Sequence, residues 1–573
     1  MAITNKIKKL ASDHKIILLV LIIVLGFFLR FYKLGQIPAG LYQDETAIGY
    51  NAYSILKTGR DEHGQFLPLY FKSFGDYKLP VYIYLTVLSV KLFGLTAFAV
   101  RFPSAFFGSL TIILVYPLVY LMSRNKKAAL VTTALIAINP WHLHYSRATF
   151  EVSVGLFLFM LGTLFLQPPV VNKYKYLYYF AILCFGLALY SYNLTRLLSP
   201  LLFALLYFFY HRDYQVNHRK LLRLTIGFSL FLLLPLLITF FSGGGLSSAQ
   251  GTLISSSATV QAKILEFRSY LFLTFPTFIA KIFFNRYLLT VWQYLVNVLN
   301  YFSVSFFFTQ GSDHGNHGIG NVGQFYLFEF PFIIWGISRI FKEKTNWLKI
   351  LGLWVVAVIA VASLTREVPH ATRSFFLIFP LEVFSALGLI SFMEWLRSRL
   401  SKYKLPLLVG LFSVVLYSVF FYFVSYYFRF PTLYAKSWRA ADKELSLWLQ
   451  KEVSPNQKII VDKSVGLIYS SLLFYQAFSP QEYQKTVVYS PDDSEGFSEV
   501  KSFGQYEFRE IDWSKDYSLR NTYLVTLPDK VPSNIQPVKI IYYPERPVVI
   551  NVKQEIISYP VTEKAYAIIK SQN

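Results

Sequence analysis

The sequence predicts a polytopic α-helical membrane protein that carries a small extracytoplasmic α/β domain at its C-terminal end. Three observations predict it. Of 573 residues, 54% are hydrophobic and only 15% charged, where a soluble domain carries about a quarter charged residues. The apolar residues are gathered into long runs. Beyond residue 428 the runs stop, and 18 basic residues stand against 17 acidic ones.

About 20 apolar residues span a bilayer as a helix. Eleven such runs occur, near 16–32, 103–122, 128–143, 152–167, 176–192, 197–211, 221–241, 326–341, 348–364, 374–396 and 405–428. The first follows Lys6, Lys8, Lys9 and Lys15 and has no small-residue cleavage pattern, so it is expected to stay as an anchor.

Orientation follows from the basic loops, because Lys and Arg are retained on the cytoplasmic side. With the N-terminus inside, the six cytoplasmic segments hold 20 basic residues against Asp13, Asp213 and Glu343. The formal net charge of +23 is therefore a record of topology, and no nucleic-acid partner is expected. A multi-pass protein of the plasma (inner) membrane follows, with the C-terminal domain extracytoplasmic. The apolar stretch 79–94 would invert this alternation if it crossed. It is expected to lie in the outer interface, with Tyr82 and Tyr84 at headgroup level.

Three pieces then face outward: loop 33–102, loop 242–325 and residues 429–573. In the last, Ala435 to Val453 sets Trp438, Ala441, Leu445 and Trp448 on one helical face. Strand-like runs follow at Lys458–Val461, Thr486–Tyr489, Thr522–Thr526, Val538–Tyr543 and Val548–Val552. The domains expected are 1–428 in the membrane and 429–573 outside it. A lone cysteine, Cys184, excludes an intrachain disulfide or thiolate metal cluster. Low-complexity sequence is confined to Ser242–Gly245 and Ser255–Ser257.

Acids are scarce before residue 429, so the outward ones are candidates for chemistry. Asp44 and Glu45 follow the first run; alone, they could be a solvated pair capping the stretch Thr46 to Lys57. Arg147 and Glu151, at i and i+4, could be a local ion pair worth a few tenths of a kcal/mol. Yet the topology sets them on one side of the membrane with Lys78, Arg196, Arg366, His370 and Arg373. Outward cations at a lipid boundary oppose the inside-positive pattern and call for a partner, which the forked guanidinium finds in phosphate oxygens. A carboxylate among them can serve as a base. The combination suggests transfer of a group from a phospholipid carrier.

These residues resemble the GT-C membrane glycosyltransferases, specifically the protein O-mannosyltransferases and aminoarabinose transferases. The likeness covers roughly residues 20–400. It rests on Asp44-Glu45, Ala52-Tyr53-Ser54-Ile55-Leu56 with Gly59, Lys78-Leu79-Pro80-Val81-Tyr82, Arg101-Phe102-Pro103-Ser104-Ala105, and Ser146-Arg147 with Glu151. The resemblance implies Asp44 as catalytic base with Glu45 beside it, Lys78 on the donor phosphate, and a second site at Arg147 and Glu151, where the family usually has Asp. Arg373, His370 and Arg196 join Lys78 as donor-phosphate ligands. The family's metal-holding Glu is replaced in Tyr77-Lys78-Leu79-Pro80, with Asp76, His314 and His317 as the nearest substitutes; no metal or other cofactor is expected.

The function implied is inverting transfer of a hexose or pentose, in the manner of a mannosyltransferase. The sugar would move from a polyprenyl-phosphate donor to a hydroxyl or amine of a protein or glycolipid acceptor at the outer membrane face. A transporter or flippase of lipid-linked saccharides would show inverted repeats and broken helices near the midplane, whereas here the polar residues gather at the outer rim. A membrane scaffold whose C-terminal domain binds partners is the third reading open to the sequence.

Overall fold

The computed structural model describes residues 14–73, 77–215, 223, 226, 227, 230, 234, 253, 254, 258–273, 276–493, 497–552 and 555–572. Lys6, Lys8, Lys9, Asp13, Asp76, Arg219, Lys220, most of the run 221–241, Ser242–Gly245 and Ser255–Ser257 lie outside them.

Among the described residues, four helices are long and apolar enough to cross a membrane: His14–Phe31, Ala97–Ser123, Phe375–Arg399 and Ser401–Leu433. The first and last are almost wholly exposed and Phe375–Arg399 is largely buried. Rows of exposed leucine, phenylalanine and valine on two long helices are untenable in water and natural against lipid. Shorter apolar helices include Glu151–Phe165, Leu177–Leu189 and Asn346–Ala362, so the expected runs at 152–167, 176–192 and 348–364 are helical over 13 to 17 residues.

The chain divides into two compact units, and not at residue 428. One comprises Met1–Tyr32, Ser104–Ser146 and Phe150–Tyr422; the other Lys33–Pro103, Arg147–Thr149 and Phe423–Asn573. The loop expected to belong with the membrane helices thus packs with the C-terminal residues. The reason is apolar: Tyr50 is buried in the same cluster as Leu445, Leu449, Ile459, Leu472 and Val525.

In the first unit, helices Glu329–Glu343 and Ile378–Arg399 approach at two glycines. A Cβ on Gly336 would strike the carbonyl of Phe384, and one on Gly388 that of Phe332. Small residues that let helix backbones touch are a device of membrane helix packing. At one end of this unit Arg30, fully buried, donates to the carbonyls of Ala137 and Ile136 at 3.0 and 3.2 Å. Those carbonyls belong to the last turn of Lys126–Ile138, where backbone acceptors lack partners within the helix.

The second unit holds a hairpin of β1 (Phe71–Lys72) and β2 (Tyr77–Lys78), followed by the helix Pro80–Phe93. Pro80 opens that helix at its first turn, and Gly94 follows its end with φ of 72°. The helix matches the stretch expected at 79–94, but Tyr82 does not point to a surface. It is fully buried and donates to Val100 O at 3.0 Å.

Residues 458–570 supply a seven-stranded mixed sheet and a separate hairpin. The strands are β3 (Lys458–Val461), β4 (Val488–Tyr489), β5 (Val500–Phe503), β6 (Tyr506–Phe508), β7 (Thr522–Thr526), β8 (Lys539–Tyr542), β9 (Arg546–Val552), β10 (Glu555–Val561) and β11 (Lys564–Lys570). The sheet order is β4-β5-β6-β3-β7-β11-β8, and β9 pairs with β10 apart from it. β3 runs parallel to both β6 and β7. The helix expected over Ala435–Val453 begins at Asp442, because 435–441 is a series of turns.

Candidate active site

The helix Gln43–Thr58 carries the acidic pair. It starts earlier than the sequence suggests, so Asp44 and Glu45 are in its first turn and do not cap it. Negative charge there is favoured by the helix macrodipole. Adjacent helical residues point about 100° apart, and the two carboxylates consequently meet different surroundings.

Glu45 is locked. Its side chain is 0% exposed and accepts Arg101 Nε on Oε1 at 2.9 Å and Arg101 Nη2 on Oε2 at 2.9 Å. Thr149 adds its backbone N–H and its hydroxyl, each 3.0 Å from Oε1. Arg101 spends its remaining donors on the carbonyls of Leu34, Pro38 and Gly40, which satisfies all five guanidinium N–H groups. It also stacks on Trp438, 5.8 Å from the ring centre. Glu45 therefore anchors the segment leading into the helix and is closed off from solvent. These bonds give Glu45 a structural role.

Asp44 is the reachable carboxylate. It is 29% exposed, and Lys78 Nζ lies 3.1 Å from its Oδ2. Lys78 is held at the end of β2, opposite Phe71, immediately before the helix Pro80–Phe93. The structure thus brings together the predicted base and a predicted phosphate ligand, 34 residues apart in sequence.

Arg147 belongs to the same unit but sits in a turn at 146–149, before the helix that starts at Glu151. The two do not share a helical face, contrary to their i, i+4 spacing. The Arg147 guanidinium is buried over Tyr426 and Tyr427, 5.3 and 5.2 Å from the ring centres, and Nη2 reaches Ile37 O at 3.4 Å. Cation–π contact favours a desolvated guanidinium. Tyr426 and Tyr427 gave no chemical signal in sequence.

Glu151, Arg196, His370 and Arg373 lie in the first unit. Glu151 and Arg196 stand in the first turns of their helices. Arg373 Nη1 donates to Thr365 Oγ1 at 3.2 Å, and Nη2 is 3.8 Å from Glu367. His370 accepts Thr372 N–H on Nδ1 at 3.2 Å. Burial, reinforced by Arg373 and the imidazoles of His317 and His314, holds it well below the usual imidazole range. It is neutral near pH 7 and can serve a phosphate as a hydrogen-bond donor, not as the cation expected. The rings of His317 and His370 are 4.8 Å apart. Among the described residues no group of three His, Cys, Asp or Glu side chains is arranged to hold a metal ion.

Asp61-Glu62-His63 carries no motif in the sequence. Glu62 is fully buried, bonded to Asn51 Nδ2 at 2.9 Å, and burial raises its carboxyl to about 8. Asp61 is raised to about 6 by the same cause, and His63 lowered to about 4. Three ionisable residues in a row read as a solvated turn; only the fold shows them enclosed.

Comparison with known proteins now bears on this geometry. Residues 78–238 match the family model described as dolichyl-phosphate-mannose-protein mannosyltransferase. No curated protein matches the chain in sequence. The structure resembles that of ArnT from Cupriavidus metallidurans bound to undecaprenyl phosphate, with TM-score 0.50 and 12% identity over 90% of this chain and 94% of that one. The apo ArnT structure gives TM-score 0.50 and 14% identity over 93% and 97%. The Archaeoglobus fulgidus oligosaccharyltransferase tethered to an acceptor peptide gives TM-score 0.50 and 14% identity over 90% and 69%. Likenesses at such identity concern the fold. In fold, and in the partial family match, the chain resembles the GT-C membrane glycosyltransferases, as its sequence motifs do.

Proposed function

We propose that the protein is an integral-membrane glycosyltransferase that moves a sugar from a polyprenyl-phosphate carrier to a hydroxyl or amine of a protein or glycolipid acceptor at the outer membrane face. The observation that carries this reading is the division of labour at the head of the helix Gln43–Thr58. Glu45 is immobilised by Arg101 and Thr149, while Asp44 remains accessible beside Lys78. The ArnT structure holds undecaprenyl phosphate, and the matched family is named for a dolichyl-phosphate-mannose donor. Both support a lipid-phosphate donor, and the family name supports a mannosyl-type sugar.

Asp44 takes the proton of the acceptor O–H or N–H. The freed lone pair forms the new bond to the anomeric carbon from the face opposite the phosphate, so the configuration inverts. The anomeric C–O bond to phosphate breaks, and the electron pair leaves on the polyprenyl phosphate. Lys78 stabilises the charge that develops there; Arg373, Arg196 and His370 of the first unit are further candidates for the donor phosphate. Arg147, held over Tyr426 and Tyr427, is the candidate for the second site. The chain sits in the plasma membrane with its N-terminus cytoplasmic and residues 429–573 outside.

The test is transfer by the purified protein from defined polyprenyl-phosphate sugars, followed by mass spectrometry of lipid and acceptor. Release of polyprenyl phosphate with a glycosylated acceptor is expected. Movement of intact lipid-linked sugar between leaflets without cleavage would replace this reading by a flippase.

A further inference from the structure

The C-terminal sheet contains a second place built to hold a ligand. β3 and β7 are parallel neighbours whose continuations part. After β3 the chain proceeds to β4, β5 and β6 on one side, and β7 returns on the other. Loops that separate at the carboxyl ends of parallel strands leave a crevice, the usual position of ligands in open α/β sheets. Such a cavity is present, about 800 Å³ in volume. It is lined by Ser464 and Val465 after β3, by Leu527 to Asp529 after β7, and by Tyr543 and Tyr566 from the β8 and β11 ends.

Two of its lining residues, Arg439 and Tyr566, belong to a buried polar network. Asp442 is fully buried and accepts Arg439 Nε, Ser471 Oγ and Tyr566 OH, each at 2.6 Å. Arg439 holds a left-handed backbone, φ 51°, a conformation that a non-glycine residue keeps only where its surroundings enforce it. Its Nη2 is buried and without a partner among the described residues. The guanidinium, which lines the cavity, is thus held rigidly by Asp442.

The charges on the rim select the ligand's class. Arg439 is balanced by Asp442. Lys436, Lys564, Asp529 and Glu563 line the same cavity, and Glu563 lies 3.8 Å from Arg546. A phosphate would meet two carboxylates, and a cation two ammonium groups. A neutral polyhydroxylated ligand pairs with donors and acceptors together and can lay an apolar face on the half-exposed Tyr543 ring. We infer that this cavity is a saccharide-binding site, with Arg439, held in place by Asp442, and Tyr543 as ligand contacts. It stands on the sheet alone and does not rest on the transfer reading.

The experiment uses the full chain in lipid nanodiscs free of glycoside detergent. Mannotriose, maltotriose and triacetylchitotriose are titrated by saturation-transfer NMR, with inorganic phosphate as the anionic control. At least one trisaccharide is expected to bind saturably and to weaken about tenfold or more in Tyr543→Ala, with phosphate neither binding nor competing. Tyr543 is outside the buried network, so its variant stays informative where Arg439→Gln fails to fold. Binding should persist in Asp44→Asn. Absence of binding by all three sugars, competition by phosphate, or binding lost in Asp44→Asn but kept in Tyr543→Ala would each overturn the inference. The last pattern would locate the sugar at the Asp44 site.

Discussion

Two neighbouring carboxylates on one helix turn are given opposite fates by what reaches them. Glu45 sits in a closed set of charge-assisted bonds, and removing one partner of such a buried pair costs about 3–5 kcal/mol. Arg101→Met is therefore expected to lower thermal stability sharply, measured by unfolding of the purified protein in a fixed detergent. A variant as stable as wild type would show that the lock is dispensable. Glu62 makes a pH-dependent prediction. Its folded carboxyl titrates near 8, above the unfolded value of about 4.5, so the folded state keeps a proton that the unfolded state has released. Stability from this group is present below pH 4.5 and declines as pH rises toward 8, by an amount on the order of a few kcal/mol. Asp61 declines in the same sense, up to about 6. His63, lowered to about 4, acts oppositely and mainly below pH 6.5. Between pH 6.5 and 8 the slope belongs chiefly to Glu62, and Glu62→Gln should flatten it in thermal melts. An unchanged slope would contradict its burial.

At the scale of elements, the reciprocal glycines make the crossing of Glu329–Glu343 and Ile378–Arg399 intolerant of volume. Gly388→Leu should reduce the yield of folded protein far more than Gly410→Leu, where a Cβ meets nothing within 4 Å. Size-exclusion profiles after extraction would show the difference. Elements were legible in sequence to the degree that one period dominated them. The run at 405–428 and the helix Pro80–Phe93, bounded by Pro80 and Gly94, could be read from residue type alone. β3 and β7 were legible as short β-branched runs. β5 and β6 were not, being three or four residues long and mixed in burial. The i, i+4 spacing of Arg147 and Glu151 misled because the chain turns at 146–149, a change set by packing and not by local pattern. The ion pair of Asp44 with Lys78 spans 34 residues, and motif resemblance alone brought the two together. Arg101 stood in a quoted motif, yet its hold on Glu45 and three carbonyls is a tertiary fact.

For the whole molecule, the distribution of charge predicts sidedness. Cys184 is the single cysteine and is buried, so Cys184→Ser gives a background for site-directed labelling. A cysteine at Lys402 should resist a membrane-impermeant maleimide added to intact cells, and one at Lys436 should react. The reverse pattern would invert the proposed topology. Arg373→Ala should weaken donor binding by about tenfold, as expected for loss of a phosphate contact; unchanged affinity and rate would remove Arg373 from the donor site.

Asp44 is the base on which the proposed transfer depends. The most direct measurement is the rate of sugar transfer from a polyprenyl-phosphate donor by Asp44→Asn, which keeps the side chain's shape and removes its basicity, alongside unfolding curves for both proteins. A folded variant with transfer reduced at least about a hundredfold, the scale of a lost general base, is the predicted result. A folded variant that retains most of its activity would contradict the account.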